Sequence, residues 1–280
     1  MDPLVSTEWL ASELGKNDLR IVDASLFLAD HGRNARGEFE AGHIPGAVFM
    51  DLDEIVDTSS GLPHMLPPPE KFASRMQALG LGDGSRIVVY DNSPLKSSAR
   101  AWWMLGVFGA HEVAILDGGF AKWQAEGRGV ESGKPVVRHR HFTVWQDKSL
   151  VRTLETMLDN LKTKAEQVLD ARPAGRFTGS DPEPRAGLRG GHMPGACNLP
   201  HGQLFNADGT WKRGDELRAA FTQAGIDLDR PVTATCGSGV TGAVLAFGMH
   251  LLGKKDVGLY DGSWSEWGAQ ANTPVVTGAA

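Results

Sequence analysis

The two halves of the 280-residue sequence repeat one order of short motifs. The motifs of the first half are residues 21–24 (IVDA), 42–47 (GHIPGA) and 116–119 (LDGG), and those of the second half are 168–171 (VLDA), 191–196 (GHMPGA) and 260–263 (YDGS). The offsets between matching motifs are 147, 149 and 144 residues, which is the size of a domain and not of a solenoid unit. The sequence therefore predicts two similar domains in tandem.

Within each half, short apolar runs rich in Val and Ile alternate with longer amphipathic or apolar stretches. This alternation is typical of an α/β fold, with a mostly parallel sheet flanked by helices on both faces. We expect an N-terminal domain over residues 1–135, a polar and basic linker over 136–148, and a C-terminal domain over 149–280.

A cysteine lies between a predicted strand and a predicted helix in the second half. Residues 231–233 (PVT) are short and β-branched, residues 234–242 (ATCGSGVTG) are rich in glycine, and 243–252 are apolar over about three helical turns. Parallel sheets present reactive groups at the carboxyl ends of their strands. Glycines let the loop curl so that successive N–H groups point inward, and the following helix directs its positive end to the same place. We expect Cys236 to be deprotonated readily and to act as a nucleophile.

Other interpretations of this loop are weaker. A small buried cysteine is the ordinary alternative, but the GSGVT that follows Cys236 does not suit one. A nucleotide-phosphate loop would end in Gly-Lys-Ser/Thr, which is missing here. A tyrosine-phosphatase loop would need an arginine where Thr241 stands.

The loop resembles the active-site loop of the rhodanese family of sulfurtransferases, and CGSGVT is similar to the version in members that use 3-mercaptopyruvate. Members that use thiosulfate typically carry basic residues after the cysteine, where Gly237 and Ser238 stand here. The resemblance covers nearly the whole chain. It implies two tandem rhodanese-like domains, a persulfide on Cys236 and no metal or organic cofactor. The N–H groups of Gly237, Gly239, Val240 and Thr241 are expected to hold the sulfur and the substrate.

When the two halves are aligned, Asp91 of the first half falls opposite Cys236 of the second, at an offset of 145 residues. The first half therefore has no thiol in its loop. We expect one active site, in the second domain.

The resemblance also implies that Arg176 and Arg185 bind the substrate carboxylate, because both stand in its Gly-Arg-Phe and Glu-Pro-Arg patterns. Solvated surface arginines, or arginines paired with Asp181 or Glu183, are the alternative.

In the same family, residues that match Asp53, His64 and Ser238 form a proton relay of the serine-protease kind. The alternative is that His64 only hydrogen-bonds the backbone and Asp53 caps a turn, with Asp51 as a close neighbour that could be mistaken for Asp53.

Composition restricts the partners and the compartment. The net charge of −6 is spread along the chain, so we expect no nucleic-acid partner. No apolar run approaches the roughly 20 residues of a membrane span, and the N-terminus has no secretory pattern. With only two cysteines we expect a reducing cytoplasm, and the resemblance makes thioredoxin or another small thiol a plausible acceptor.

Three competing functions remain at this stage. The first is a thiosulfate sulfurtransferase, the second a partner-binding module without activity, and the third a redox sensor if Cys197 could bridge to Cys236. Cys197, and the histidines His43 and His192 that recur in both halves, are expected to be structural.

Overall fold

The protein contains two five-stranded parallel sheets, described here from a computed structural model over residues 1–279. The first sheet consists of β1 (Leu4–Val5), β2 (Leu19–Asp23), β3 (Ala47–Phe49), β4 (Arg86–Tyr90) and β5 (Val113–Leu116), in the order β1-β5-β4-β2-β3. The second consists of β6 (Val151–Arg152), β7 (Gln167–Asp170), β8 (Cys197–Asn198), β9 (Val232–Thr235) and β10 (Val257–Tyr260), in the order β6-β10-β9-β7-β8. The two orders are the same, so the predicted duplication and fold class are confirmed.

Within residues 1–279, ten α-helices accompany the strands, because parallel neighbours need a long crossover between them. The first five are α1 (Thr7–Glu13), α2 (Ala35–Ala41), α3 (Pro69–Ala78), α4 (Ser98–Val107) and α5 (Gly119–Ala125). The second five are α6 (Leu154–Thr163), α7 (Ala174–Thr178), α8 (Gly214–Gln223), α9 (Gly242–Leu251) and α10 (Ser263–Trp267). In residues 1–279, none of the helices combines the length and the apolar character needed to cross a membrane.

The chain divides into two compact units that do not follow the sequence strictly. Unit 1 comprises Met1–Asp57, Leu66–Asp147 and Asn206–Trp211, and unit 2 comprises Thr58–Met65, Lys148–Phe205 and the chain from Lys212 onward. The domain bounds drawn from the sequence stay a prediction. Residues 136–147 of the expected linker fall within unit 1. Phe142 is buried beside Phe72, and the Trp145 N–H donates to the Phe108 carbonyl.

Large aromatic side chains fill the cores of both units. Trp123 is buried in unit 1, and Trp264 and Trp267 are buried in unit 2. Helix α9 is buried along most of its length, because its residues are apolar on every face. The segment that follows the cysteine loop is therefore held rigidly.

The repeated histidines have the same structural role in each unit. The His43 and His192 rings are both buried and stack on Phe39 and Phe177, with ring centroids 4.1 Å and 3.7 Å apart. Each Nδ1 is hydrogen-bonded to the carbonyl of the phenylalanine on which the ring stacks, at 2.7 Å and 2.8 Å. The expected fold role of this pair is confirmed.

Candidate active site

Cys236 follows β9 directly, and its loop ends where α9 begins at Gly242. The residue is almost fully buried, with 1% of its surface exposed. Gly239 has a φ of +77°, a left-handed conformation that glycine adopts without strain, and this residue allows the chain to curl between strand and helix. The predicted strand–loop–helix around the cysteine is thus confirmed.

Four of the loop's backbone N–H groups are available to an anion. Those of Gly237, Ser238, Val240 and Thr241 make no hydrogen bond to any residue in the part of the chain that the structure describes. Gly239 corrects our expectation, because its N–H donates to Ser263 Oγ at 3.0 Å and is not available to the sulfur.

The hydroxyl of Ser263 holds the cysteine loop in place. It accepts the N–H groups of Cys236 and Gly239 at 3.2 Å and 3.0 Å, and it donates to the Tyr260 carbonyl at 2.8 Å. Ser263 holds this place at a φ of +50°, which is costly for a residue with a side chain. The three hydrogen bonds of the hydroxyl offset the strain of this conformation. No pattern in the sequence predicted this role of Ser263.

Two further contacts hold the same loop by its carbonyls. The Trp264 N–H donates to the Cys236 carbonyl at 2.9 Å. The Ser265 N–H and Oγ donate to the Gly237 carbonyl at 2.8 Å and 2.6 Å. With its carbonyls bound on one side, the loop presents its remaining N–H groups on the other.

Unit 1 has a matching loop, and there a carboxylate occupies the position of the cysteine. Asp91 follows β4, and its oxygens accept the N–H groups of Ser93 at 3.0 Å and Ser98 at 2.9 Å. The Phe120 N–H donates to the Asp91 carbonyl at 3.0 Å, as Trp264 does to Cys236. In this unit one loop N–H and the first N–H of α4 bind a carboxylate supplied by the chain itself, so this end of the strand suits negative charge.

Both predicted substrate arginines lie beside the cysteine loop. A Cβ placed on Gly237 would lie 3.2 Å from Arg176 Nη2 and 3.9 Å from Arg185 Nη1. Burial lowers the pKa of Arg185, and the charge of Arg176 lowers it further, while the charges of Cys236 and Glu183 act in the opposite direction. Gly237 leaves room between the guanidiniums and the loop, and contact of either arginine with a substrate stays a prediction.

Three buried charged residues support Arg176 through ion pairs. Arg172 pairs with Asp170 at 2.7 Å and with Glu183 at 2.8 Å, and Glu183 pairs in turn with Arg176 at 2.6 Å. The Arg172 guanidinium also lies 4.2 Å from the centroid of the Trp264 ring. From the sequence, Glu183 is expected only as an alternative partner for Arg176, and Arg172 is not expected in the site, because arginine is rarely a core residue.

Of the expected proton relay, two members meet. His64 Nδ1 lies 2.8 Å from Ser238 Oγ, and Ser238 is buried. His64 has a φ of +60°, so its backbone is held in an uncommon conformation. Asp53 is assigned to unit 1, and its part in the relay stays a prediction.

The neighbouring Asp51 is committed elsewhere. Its Oδ1 accepts the N–H groups of Asp53 and Glu54, at 3.1 Å and 3.2 Å, and its Oδ2 pairs with Arg36 at 2.9 Å. Asp51 is therefore a turn cap and a less suitable relay member than Asp53.

Cys197 cannot form a disulfide with Cys236 in this fold. Strand β7 separates the two, since Leu169 pairs with Cys197 on one side and with Ala234 on the other. Two strand spacings amount to roughly 10 Å, while a disulfide requires Cα atoms within about 7 Å. Burial raises the pKa of the Cys197 thiol, which also makes it a poorer nucleophile. A redox sensor that pairs these two cysteines is excluded.

The fold and the site define a two-domain α/β protein with a buried cysteine in a loop whose N–H groups are open to an anion. The Rhodanese-like domain model matches residues 6–126 and 153–270, and the chain belongs to the rhodanese family.

Three comparisons illustrate the similarity. Thiosulfate/3-mercaptopyruvate sulfurtransferase 1, mitochondrial, from Arabidopsis thaliana is 41% identical over 98% of this chain and 78% of its own length. The 3-mercaptopyruvate sulfurtransferase of Rattus norvegicus is 43% identical over 94% of this chain and 91% of its own. The crystal structure of SseA from Escherichia coli, reported for the rhodanese fold of 3-mercaptopyruvate sulfotransferases, is 39% identical, has a TM-score of 0.87, and covers 94% of this chain and 99% of its own.

Proposed function

We propose that this protein is a sulfurtransferase that takes sulfur from 3-mercaptopyruvate and passes it, as a persulfide on Cys236, to a thiol or to cyanide. One observation carries the proposal: Cys236 lies in a loop with four N–H groups available to an anion and two guanidiniums beside it. The high-coverage likeness to proteins named for this donor agrees with it.

In the first step, the Cys236 thiolate attacks the sulfur of 3-mercaptopyruvate. A sulfur–sulfur bond forms, the carbon–sulfur bond breaks, and its electron pair leaves with pyruvate as the enolate, which then takes up a proton. The available loop N–H groups stabilise the charge on the outer sulfur, as an oxyanion hole stabilises an alkoxide. Arg185 and Arg176 bind the donor's carboxylate through their planar donors.

Ser238 and His64 serve the proton transfer. The 2.8 Å contact between Ser238 Oγ and His64 Nδ1 allows a proton to pass between imidazole and hydroxyl, and so to or from the keto or enolate oxygen. Asp53 would orient the imidazole as the third member of the relay.

In the second step, an acceptor thiolate attacks the outer sulfur of the persulfide. The acceptor leaves as its own persulfide, or as thiocyanate when cyanide is used, and the Cys236 thiolate is regenerated. Both steps balance without a metal or an organic cofactor. We propose that the acceptor is a small thiol or thioredoxin, that the reaction takes place in the cytoplasm, and that no nucleic acid is a partner.

The proposed domains comprise residues 1–135 and 149–280, with a linker between them.

Thiosulfate is the alternative donor, and the Arabidopsis relative is named for both donors. Residues 237 and 238, which follow the cysteine directly, bring no positive charge to the loop. A dianion gains more than a monoanion from such charges, so their absence favours the keto acid.

The test compares kcat/KM for the two donors and follows the protein by mass spectrometry after each is added. We expect 3-mercaptopyruvate to be the better donor and to leave one additional sulfur on Cys236. Cys236→Ser should abolish this transfer, and Cys197→Ser is the matched control that should retain it. A preference for thiosulfate would overturn the donor assignment, and a protein that gains no sulfur from either donor would overturn the function.

A further inference from the structure

The carboxylate of Glu183 lies between two guanidiniums, one of which faces the cysteine loop. Its Oε1 is 2.8 Å from Arg172 Nη1, and its Oε2 is 2.6 Å from Arg176 Nη2. The Glu183 side chain is 1% exposed, whereas that of Arg176 is 19% exposed. The carboxylate thus links a buried cation to one at the edge of the site.

Arg172 keeps Glu183 in place. Its guanidinium also donates to Asp170 Oδ2 at 2.7 Å and to the Gly191 carbonyl at 2.9 Å, and its stacking on Trp264 fixes the plane. Because almost all its donors are used, Arg172 cannot follow a movement of Arg176. Glu183 therefore acts as a fixed anion that determines where Arg176 Nη2 lies.

The same carboxylate sets the charge of the site. Asp170 offsets Arg172, and Glu183 offsets Arg176, so Arg185 provides the one net positive charge of this cluster. The Arg185 guanidinium is within electrostatic reach of Cys236, Arg176 and Glu183.

We propose that Glu183 is a positioning residue that determines donor specificity: it holds Arg176 beside Gly237 and limits the cluster to one net cation. A site with one net cation suits a singly charged keto acid, while a second would favour a dianion such as thiosulfate. This inference rests on the proposed sulfur transfer and concerns the substrate class of the same site.

The test replaces Glu183 by its neutral isostere, Glu183→Gln, which keeps an acceptor for one guanidinium and adds one net cation. The ratio of kcat/KM for thiosulfate to that for 3-mercaptopyruvate should rise about tenfold. Asp181→Asn is the matched control, because it makes the same change of charge on an exposed side chain in the same loop. Its ratio should remain that of the parent protein.

A second readout does not depend on sulfur transfer. In a Cys197→Ser background, the rate of Cys236 alkylation is measured with anionic iodoacetate and with neutral iodoacetamide. The ratio of the iodoacetate rate to the iodoacetamide rate should be several-fold higher with Glu183→Gln than without it. If both reagents slow down together, or the ratio equals that of Asp181→Asn, Glu183 only stabilises the loop and the proposal is wrong. If no donor forms a persulfide, the proposed function fails, while the alkylation ratio still decides the role of Glu183.

Should Glu183→Gln not fold, Glu183→Asp replaces it. The shorter side chain keeps the negative charge, but its carboxylate lies farther from Arg176 by the length of one methylene. The donor ratio and the alkylation ratio should therefore change in the same direction as in Glu183→Gln, by a smaller factor. Ratios unchanged in this variant overturn the proposal.

Discussion

The buried carboxyl of Asp23 should make the free energy of unfolding depend on pH, by an amount that follows from the structure. This residue ends β2 and is 4% exposed. Burial raises its pKa to about 6, and the charge of Asp91 acts in the same direction, while hydrogen bonds from Ser25 and Tyr90 oppose both. Its Oδ1 accepts the Ser25 N–H at 2.8 Å.

The sign follows from the two states. The Asp23 carboxyl has a pKa of about 6 in the folded protein and an ordinary value of 3.8. Between these values the folded state keeps a proton that the unfolded state has lost, so stability falls as the pH rises through this window. Above about pH 6 both states are ionised and the contribution is constant. The total loss of stability across this pH window amounts to on the order of 3 kcal/mol.

The measurement is urea denaturation of the parent protein and of Asp23→Asn over the range from about pH 4 to about pH 7. Asparagine stays neutral and keeps the acceptor for Ser25. Relative to the parent, the variant's free energy of unfolding should rise by on the order of 3 kcal/mol across this range and then level off. Any constant cost of the amide cancels, because only the change with pH is compared.

The exposed Asp18 provides a control of opposite sign. A hydrogen bond from Arg86 lowers the pKa of Asp18, so its contribution is present at neutral pH and is lost on acidification. Asp18→Asn should therefore lose stability relative to the parent as the pH rises. An Asp23→Asn difference that does not change with pH would contradict the assignment of the raised pKa to Asp23.

Three substitutions test the active site. Arg185→Ala should lower kcat/KM for 3-mercaptopyruvate, because it removes charged hydrogen bonds that stabilise the transition state by about 1.5–3 kcal/mol. Unchanged kinetics would exclude a contact between Arg185 and the carboxylate. Ser238→Ala should slow 3-mercaptopyruvate turnover, yet leave persulfide formation from thiosulfate visible by mass spectrometry. If both donors fail equally, the hydroxyl is structural. Ser263→Ala leaves two buried N–H groups without their acceptor and should cost on the order of 1–3 kcal/mol in urea denaturation, which a variant of parental stability would contradict.

The duplication and the cysteine loop could be predicted because their signals are local. A short β-branched run, a turn with glycines and an apolar helix specify strand, loop and helix around Cys236 without reference to distant residues. Because the two halves repeat, the sequence predicts the same strand, loop and helix around Asp91, and the structure has them there.

The supports of the site could not be predicted in this way. Ser263 lies 27 residues from Cys236, and its hydroxyl acts through a contact that no short pattern describes. Arg172 and Glu183 stand among Pro, Gly and charged residues that resemble a solvated loop. Only their mutual pairing allows both charges to be buried, and pairing is a property of the fold.

Gly242 gives a further example. By helix propensity alone, alanine would be better at this first position of α9. A Cβ there would lie 2.7 Å from Leu259 Cδ1 and 3.2 Å from the carbonyl carbon of Thr235, the residue before Cys236. The glycine therefore allows α9 to approach the strands that hold the cysteine, a packing role that sequence propensity cannot reveal.

The first unit keeps a loop between strand and helix although it has no thiol to present. Gly119 holds a φ of +59° where Ser263 holds +50° in the second unit, and a Cβ on Gly119 would lie 2.4 Å from the Asp91 carbonyl. A side chain like that of Ser263 is thus excluded at this position, and the Asp91 carboxylate instead accepts one loop N–H, that of Ser93, and the first N–H of α4, that of Ser98. The N–H groups of Asn92, Leu95 and Lys96 are bound by Ser25 Oγ, Ser93 Oγ and the Ser93 carbonyl, at 2.8 Å, 3.1 Å and 3.1 Å. At the offset of 145 residues these positions match Gly237, Val240 and Thr241, so unit 1 satisfies from within the chain the positions at which unit 2 leaves N–H groups for an anion. The loop is therefore structural in one unit and suited to catalysis in the other, and several side chains around the loop, not the cysteine alone, make the difference.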